Sequence, residues 1–178
     1  VRRVRLSKAI FRKRYLMERS TPLRLTDAEK LIGKALGISE WVDIDQVQVN
    51  IFGEVTRWRT PGHCDPEFAK QGRFGGTLLH GFHAIALLPY FYQSAGCWPI
   101  DGEDPLNYGL DKVRILKPII IGDGVRLRSQ MRLLAAEPKS DGDYLLKVGH
   151  DIEAEGHEGI AIYAEYLTYW HRLKSAGA

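Results

Sequence analysis

The sequence predicts an α+β domain in which a single antiparallel sheet wraps around one long central helix. Three observations carry that expectation. Residues 77–94 are apolar on nearly every face for more than four turns, and a helix of that kind is buried. Three runs of alternating character follow it, residues 125–134, 144–155 and 160–170, with short turns between them, the pattern of an antiparallel meander. The strands come after the helix instead of alternating with further helices, which gives the α+β class. At 178 residues the chain fits one domain with one core.

Residues 1–25 form a basic extension: Arg2, Arg3, Arg5, Lys8, Arg12, Lys13, Arg14 and Arg19 face a single acid, Glu18, within the first twenty positions. Residues 7–19 are a candidate basic helix. Thr26 and Glu29 have the spacing of a capping box, opening a helix that runs through Leu31, Ile32 and Leu36 and stops at Gly37. Residues 45–56 place Val47, Val49, Ile51, Phe52 and Val55 at spacings that fit either a helix or a strand. Residues 57–62 and 72–76 carry the glycine and proline of loops. Residues 113–121 read as a strand with an irregular or edge position at Pro118. Gly122-Asp123-Gly124 is a tight turn into the meander, whose other connections are residues 137–143 and 156–159. The domain is expected to span residues 26–172, with 173–178 as a tail.

Composition excludes several classes. The apolar fraction of 44% and charged fraction of 26% are those of an ordinary globular protein. Cys64 and Cys97 lack metal-ligand spacing and suit reduced thiols in a cytoplasmic protein. No His or Cys grouping has the spacing of a metal site. The longest apolar run, residues 84–92, is too short to span a bilayer. No nucleic-acid motif or aromatic-interleaved groove accompanies the basic arm. The arm is either a solvated extension, a tail for an acidic partner such as a carrier protein or a neighbouring subunit, or a targeting segment.

Three stretches carry more specific information: His63-Cys64-Asp65-Pro66-Glu67, then Phe74-Gly75-Gly76-Thr77-Leu78-Leu79-His80-Gly81-Phe82, and Asn107-Tyr108-Gly109-Leu110-Asp111-Lys112-Val113-Arg114. On these residues the chain resembles the MaoC-like hotdog family of (R)-specific enoyl-thioester hydratases and dehydratases, and most nearly its NodN-like branch. The resemblance covers about residues 31–170 and leaves the basic arm outside. It implies a hotdog fold, a homodimer with its active site near the subunit interface, and an acyl-CoA or acyl-carrier-protein substrate. Coenzyme A or phosphopantetheine then enters as part of the substrate, with no separate cofactor. The family's catalytic histidine falls on His63, and its thioester-holding backbone N–H falls on Gly81.

Those residue types suit the chemistry. Removing the α-proton of a thioester places charge on the carbonyl oxygen, which an N–H at a helix N-terminus stabilises. Glycine there lets the thioester approach the backbone. Histidine titrates near neutrality and can give or take the proton.

One departure stands out. The family's acid lies five residues before its histidine, and that position here is Trp58, flanked by Arg57 and Arg59, with Thr60 where an Asn or Gln is usual. An indole cannot transfer a proton. Three readings follow: a hydratase or dehydratase whose acid is Glu54, His83 or a partner residue; a repurposed isomerase, cyclase or carbon–carbon bond-forming enzyme using one base; or a non-catalytic thioester-binding subunit. Trp58 either shapes the pocket or packs the loop. Asp65 reads as a structural hydrogen-bonding group, and Cys64 as pointing away from His63. His80 reads as structural and His83 as a core or pocket-lining histidine. Phe74, Gly75 and Asn107, which lie in the family's words, complete the candidates for substrate contact.

Overall fold

The computed structural model describes residues 23–174, so the proposed basic helix at 7–19 lies outside the described residues. The sheet consists of β1 (Ala35–Ile38), β2 (Val42–Ile44), β3 (Leu106–Ile115), β4 (Val125–Pro138), β5 (Tyr144–Ala154) and β6 (Ile162–Trp170). Its order is β1-β4-β5-β6-β3, with β2 also pairing β4, and every pairing is antiparallel. β4, β5 and β6 are the expected meander. On β6 burial alternates without a break, so Ile162, Ala164, Tyr166, Thr168 and Trp170 face the core. On β4 the same alternation holds from Val125 to Leu133, where an irregularity after Leu133 shifts the register.

The central helix differs from its prediction. It is a pair, α4 (Gly81–Ala86) and α5 (Leu88–Ser94), broken at Leu87 just before Pro89, which removes a backbone donor. Residues 77–80 are not helical. Ile121 N–H donates to Thr77 O, Leu79 N–H donates to Ile119 O, and Leu78 bridges Ile120. Those backbone groups are committed to an extended pairing, so the helix cannot begin before Gly81. The pair is also not apolar-buried all round: Phe82 is 75% exposed, whereas Ala84, Leu88, Phe91 and Tyr92 are buried against the sheet.

Other elements shift for identifiable reasons. The Thr26–Glu29 capping box does not form. A 3₁₀ turn, Leu25–Leu31, occupies the segment with Arg24 at its cap, and Leu36 lies in β1. Packing also starts ahead of residue 26, since Leu23 and Leu25 are buried. A true capping box closes at Asp45 and Gln48, and the ambiguous segment is α1 (Gln46–Thr56). Only Val49 and Gly53 of α1 are buried, while Val47, Ile51 and Val55 are exposed. The loop at 57–62 is shorter than expected, because Pro61 opens α2 (Pro61–Cys64), followed by α3 (Pro66–Lys70). The strand expected at 113–121 is instead β3, eight of whose ten residues are exposed.

Candidate active site

The site is assembled where α1, α2, the extended segment 77–80 and the end of β3 converge. α1 ends with Arg57 in the left-handed region (φ 61), and Trp58 N–H donates to Gly53 O, which turns the chain back toward α2. Gln46, at the start of α1, ties both sides together: its Nε2 donates to His63 O at 2.8 Å, and its Oε1 accepts from Thr77 Oγ1. Sequence reading missed Gln46, since no local pattern connects it to residues 17 and 31 positions away.

His63 is half-buried on α2. Its Nδ1 lies 2.7 Å from Leu78 O. A carbonyl only accepts, so Nδ1 carries the proton and Nε2 keeps a lone pair. Leu78 N–H donates to Gly62 O, so the same residue holds the α2 backbone and the imidazole. Three positions later Gly81 starts α4, and its N–H has no partner within the helix. A Cβ at Gly81 would stand 2.1 Å from Ile115 Cδ1, so glycine lets the exposed Ile115 side chain lie directly over the start of α4. His63 and Gly81 line one cleft of about 290 Å³ with Leu78, Leu79, Ile115, Lys117 and Ile162 among its other walls.

Behind His63 stands a row of rings. His80 stacks on His63 with centroids 3.9 Å apart, tilts against Phe52 at 5.3 Å, and Phe52 stacks flat on His83 at 4.7 Å. His80 Nε2 lies 3.1 Å from Trp58 O, so Nε2–H donates and the buried Nδ1 is left unpartnered. Burial pushes the His80 imidazole below its ordinary value. The bond to Trp58 opposes that shift, and the adjacent His63 adds to it. Burial likewise lowers His83, with His80 contributing, and His83 Nδ1 has no partner among the described residues.

The remaining candidates are placed apart from the cleft lining. The Trp58 side chain is 62% exposed, and it is the residue's backbone carbonyl that serves the site by holding His80. Glu54, considered as a substitute acid, pairs with Arg59 at 2.7 Å on the surface. Asp65 caps α3, accepting Phe68 N–H at 3.0 Å. Cys64 and His63 share a helical turn, and the Cys64 thiol packs against Gly53. Phe74 is exposed under the Arg73 guanidinium, and Gly75 occupies a turn at φ 69. Asn107 accepts from Tyr166 OH on the inner face of the sheet. No group of His, Cys, Asp and Glu able to hold a metal is found among the described residues.

The comparisons agree with this architecture. Residues 27–137 match the MaoC like domain. The chain is 36% identical over 145 residues to 3-hydroxyacyl-thioester dehydratase Z of Mycobacterium tuberculosis, covering 81% of this chain and 93% of that protein. It is 33% identical over 149 residues to nodulation protein N of Rhizobium leguminosarum bv. viciae, covering 82% and 90% respectively. The MaoC-like dehydratase from Rhodospirillum rubrum shares the fold with a TM-score of 0.65 at 18% identity, over 81% of this chain and 94% of that one. The antiparallel sheet around its helix pair is thus a hotdog fold, and the chain belongs to the MaoC-like dehydratase family.

Proposed function

We propose that the protein is an acyl-thioester hydratase or dehydratase, with His63 as the proton-transferring base and the Gly81 N–H as the donor to the thioester oxygen. The observation that carries this reading is that Leu78 joins the two. Its carbonyl fixes the His63 tautomer so that Nε2 is available, and its chain continues within three residues to the N–H of Gly81, which has no partner within its helix. Both groups line the same cleft. A thioester carbonyl against Gly81 places its α-carbon toward the base, and the N–H stabilises the enolate as it forms. The relative named as a 3-hydroxyacyl-thioester dehydratase supports the substrate class. Coenzyme A or phosphopantetheine enters as part of the substrate, with no resident cofactor.

The second proton-transfer group in this reading comes from the partner subunit: Glu54 is engaged with Arg59, and His83 lies at the far end of the ring row behind His63, outside the cleft lining. A repurposed one-base reaction on a polyketide-like or other acyl chain is the second reading. It is favoured by a cleft with no carboxylate among its described lining residues, because isomerisation or carbon–carbon bond formation needs only enolate stabilisation and one base. Trp58→Asp separates the two: a large gain in hydration at the expense of another native reaction would favour the second.

A homodimer formed through β3 completes the proposal. Among the described residues this ten-residue strand pairs only with β6, and Leu106, Tyr108, Leu110 and Ile115 are exposed along it. A bare apolar edge of that length invites pairing with another strand, and a second copy covers it beside the cleft wall. Cys64 and Cys97, neither in a disulfide, suit a cytoplasmic setting, and the basic arm suits an acidic partner such as a carrier protein. The deciding experiment follows enoyl absorbance with trans-2-enoyl-CoA substrates of several chain lengths. Turnover that is lost in His63→Asn is the expected result, and no absorbance change at any length would defeat the reading.

A further inference from the structure

The segment that leads to Gly81 holds His63 by more than its ring. Leu78 takes two of the bonds: its N–H donates to Gly62 O, and its carbonyl accepts from His63 Nδ1–H. Both end on one residue, so alone they act as a hinge for the short helix α2. Gln46, at the start of α1, adds a third bond off that hinge. Its Nε2 donates to His63 O at 2.8 Å, and its Oε1 accepts from Thr77 Oγ1. Thr77 is the neighbour of Leu78 on the segment that runs on to Gly81. His63 is therefore fixed against that segment in rotation as well as in distance.

The link is anchored at both ends. Gln46 lies in the first turn of α1, which the Asp45–Gln48 capping box closes, and its Nε2 also donates to Asn50 Oδ1 at 2.8 Å. Thr77 is buried, and its carbonyl accepts Ile121 N–H. The chemistry of the link admits few residue types. The His63 carbonyl only accepts, so a donor must face it, and Oε1 is then the atom left for the Thr77 hydroxyl. One amide supplies donor and acceptor at the right ends. A carboxylate has no donor to offer, and an apolar chain has neither.

We propose that Gln46 is a positioning residue of the site, setting where His63 Nε2 stands relative to the Gly81 N–H. This rests on the assignment of those two groups as base and thioester donor. Gln46 does not line the cleft. Its effect therefore falls on the geometry of proton transfer and not on the hold on the acyl chain. A displacement of about 1 Å in a reacting group, caused by a change outside the chemistry, costs about 10²-fold in rate.

Gln46→Met keeps the length of the side chain and removes both bonds. In trans-2-enoyl-CoA hydration by the full chain, kcat should fall about 10–100-fold while KM stays within about three-fold. Gln46→Glu separates positioning from packing. Its carboxylate faces the His63 carbonyl without a proton to give, and protonation restores the donor, so its kcat relative to wild type should rise as pH falls from about 8 to about 5. Imidazole NMR reads the same geometry without turnover. Neutral His63 should keep its proton on Nδ1 in the wild type and show both tautomers in Gln46→Met. If thermal melting shows that Gln46→Met does not fold, Thr77→Val cuts the same link at its other end and is read in the same two ways. Unchanged kcat, a loss carried by KM alone, or a single tautomer kept in the variant would each overturn the proposal. A wild type that hydrates no enoyl-CoA would instead overturn the assignment of His63 as base, and the tautomer comparison then decides by itself whether Gln46 holds the imidazole.

Discussion

The wall of the cleft that ends at Gly81 and the wall that carries His63 face one another but rest on different foundations. The Gly81 wall is made of buried backbone. Thr77, Leu79 and His80 are buried, and Thr77 and Leu79 each bond into residues 119–121 before the helix begins. The His63 wall is the exposed loop after α1 leading into the short helix α2, with Arg57, Trp58 and Arg59 all facing solvent, joined to the body through Gln46, Leu78 and His80. Charge stabilisation needs a donor held still, because its value lies in not having to reorganise. It therefore sits where packing leaves no freedom. Proton transfer is assigned to the loop, and a loop position can change without disturbing the core. Trp58, at the position where the resemblance leads one to expect the acid, lies on that loop.

The largest expected consequence falls on the buried wall. Gly81→Ala puts a methyl group where the exposed Ile115 side chain now ends, so Ile115 must turn aside, at a cost of no more than about 1 kcal/mol, and the methyl group stands in the thioester's approach to the N–H. Thioester binding should be lost with it. Denaturant melts and acyl-CoA titration check this, and an unchanged midpoint would show that Ile115 yields freely.

Acid should then weaken the same wall selectively. His80 and His83 are held below their ordinary values mainly by burial. Both are neutral in the fold, while the unfolded chain takes up protons below about pH 6.5. Their stabilising contribution is therefore complete above that pH and lost as pH falls through the depressed folded values. Amide exchange at Leu79 and Ala84 should accelerate, relative to the open-chain rate, between pH 7 and pH 5. His83→Phe should reduce the acceleration.

A smaller effect is expected at the bond between the walls. His80→Phe keeps a ring against His63 and removes the donor to Trp58 O, which should cost about 1 kcal/mol. It should also lower turnover more than binding, because the loop carrying the base is released. Smallest of all, Trp58→Ala should change stability by no more than about 0.5 kcal/mol, since the indole is exposed and packs no core. A larger loss in the dimer would place the indole in the subunit interface.

The same contrast explains how much could be read in advance. The meander was legible because β4, β5 and β6 bury alternate residues, and burial is what periodicity records. The greater part of β3 was not, because eight of its ten residues are exposed and backbone pairing with β6 alone makes it a strand. Residues 77–80 read as helix because both a helix and a buried extended segment are apolar, and the deciding bonds come from residues forty positions later. The capping signature at Thr26 and Glu29 was present without forming a cap. The same signature at Asp45 and Gln48 does form one and could have settled α1 as a helix. His63 and Gly81 were found through the resemblance, since their words are local. Gln46, the Leu78 carbonyl and the ring row behind His63 are contacts between distant segments, and no spacing rule reaches them.

That His63 and Gly81 act as one thioester site can be decided by following trans-2-enoyl-CoA hydration in the wild type and in His63→Asn. Measurable turnover is expected in the wild type, with a loss of about 10²–10⁴-fold in the variant and acyl-CoA binding that the variant retains. Equal turnover in the two proteins, or none in the wild type at any chain length, would contradict it.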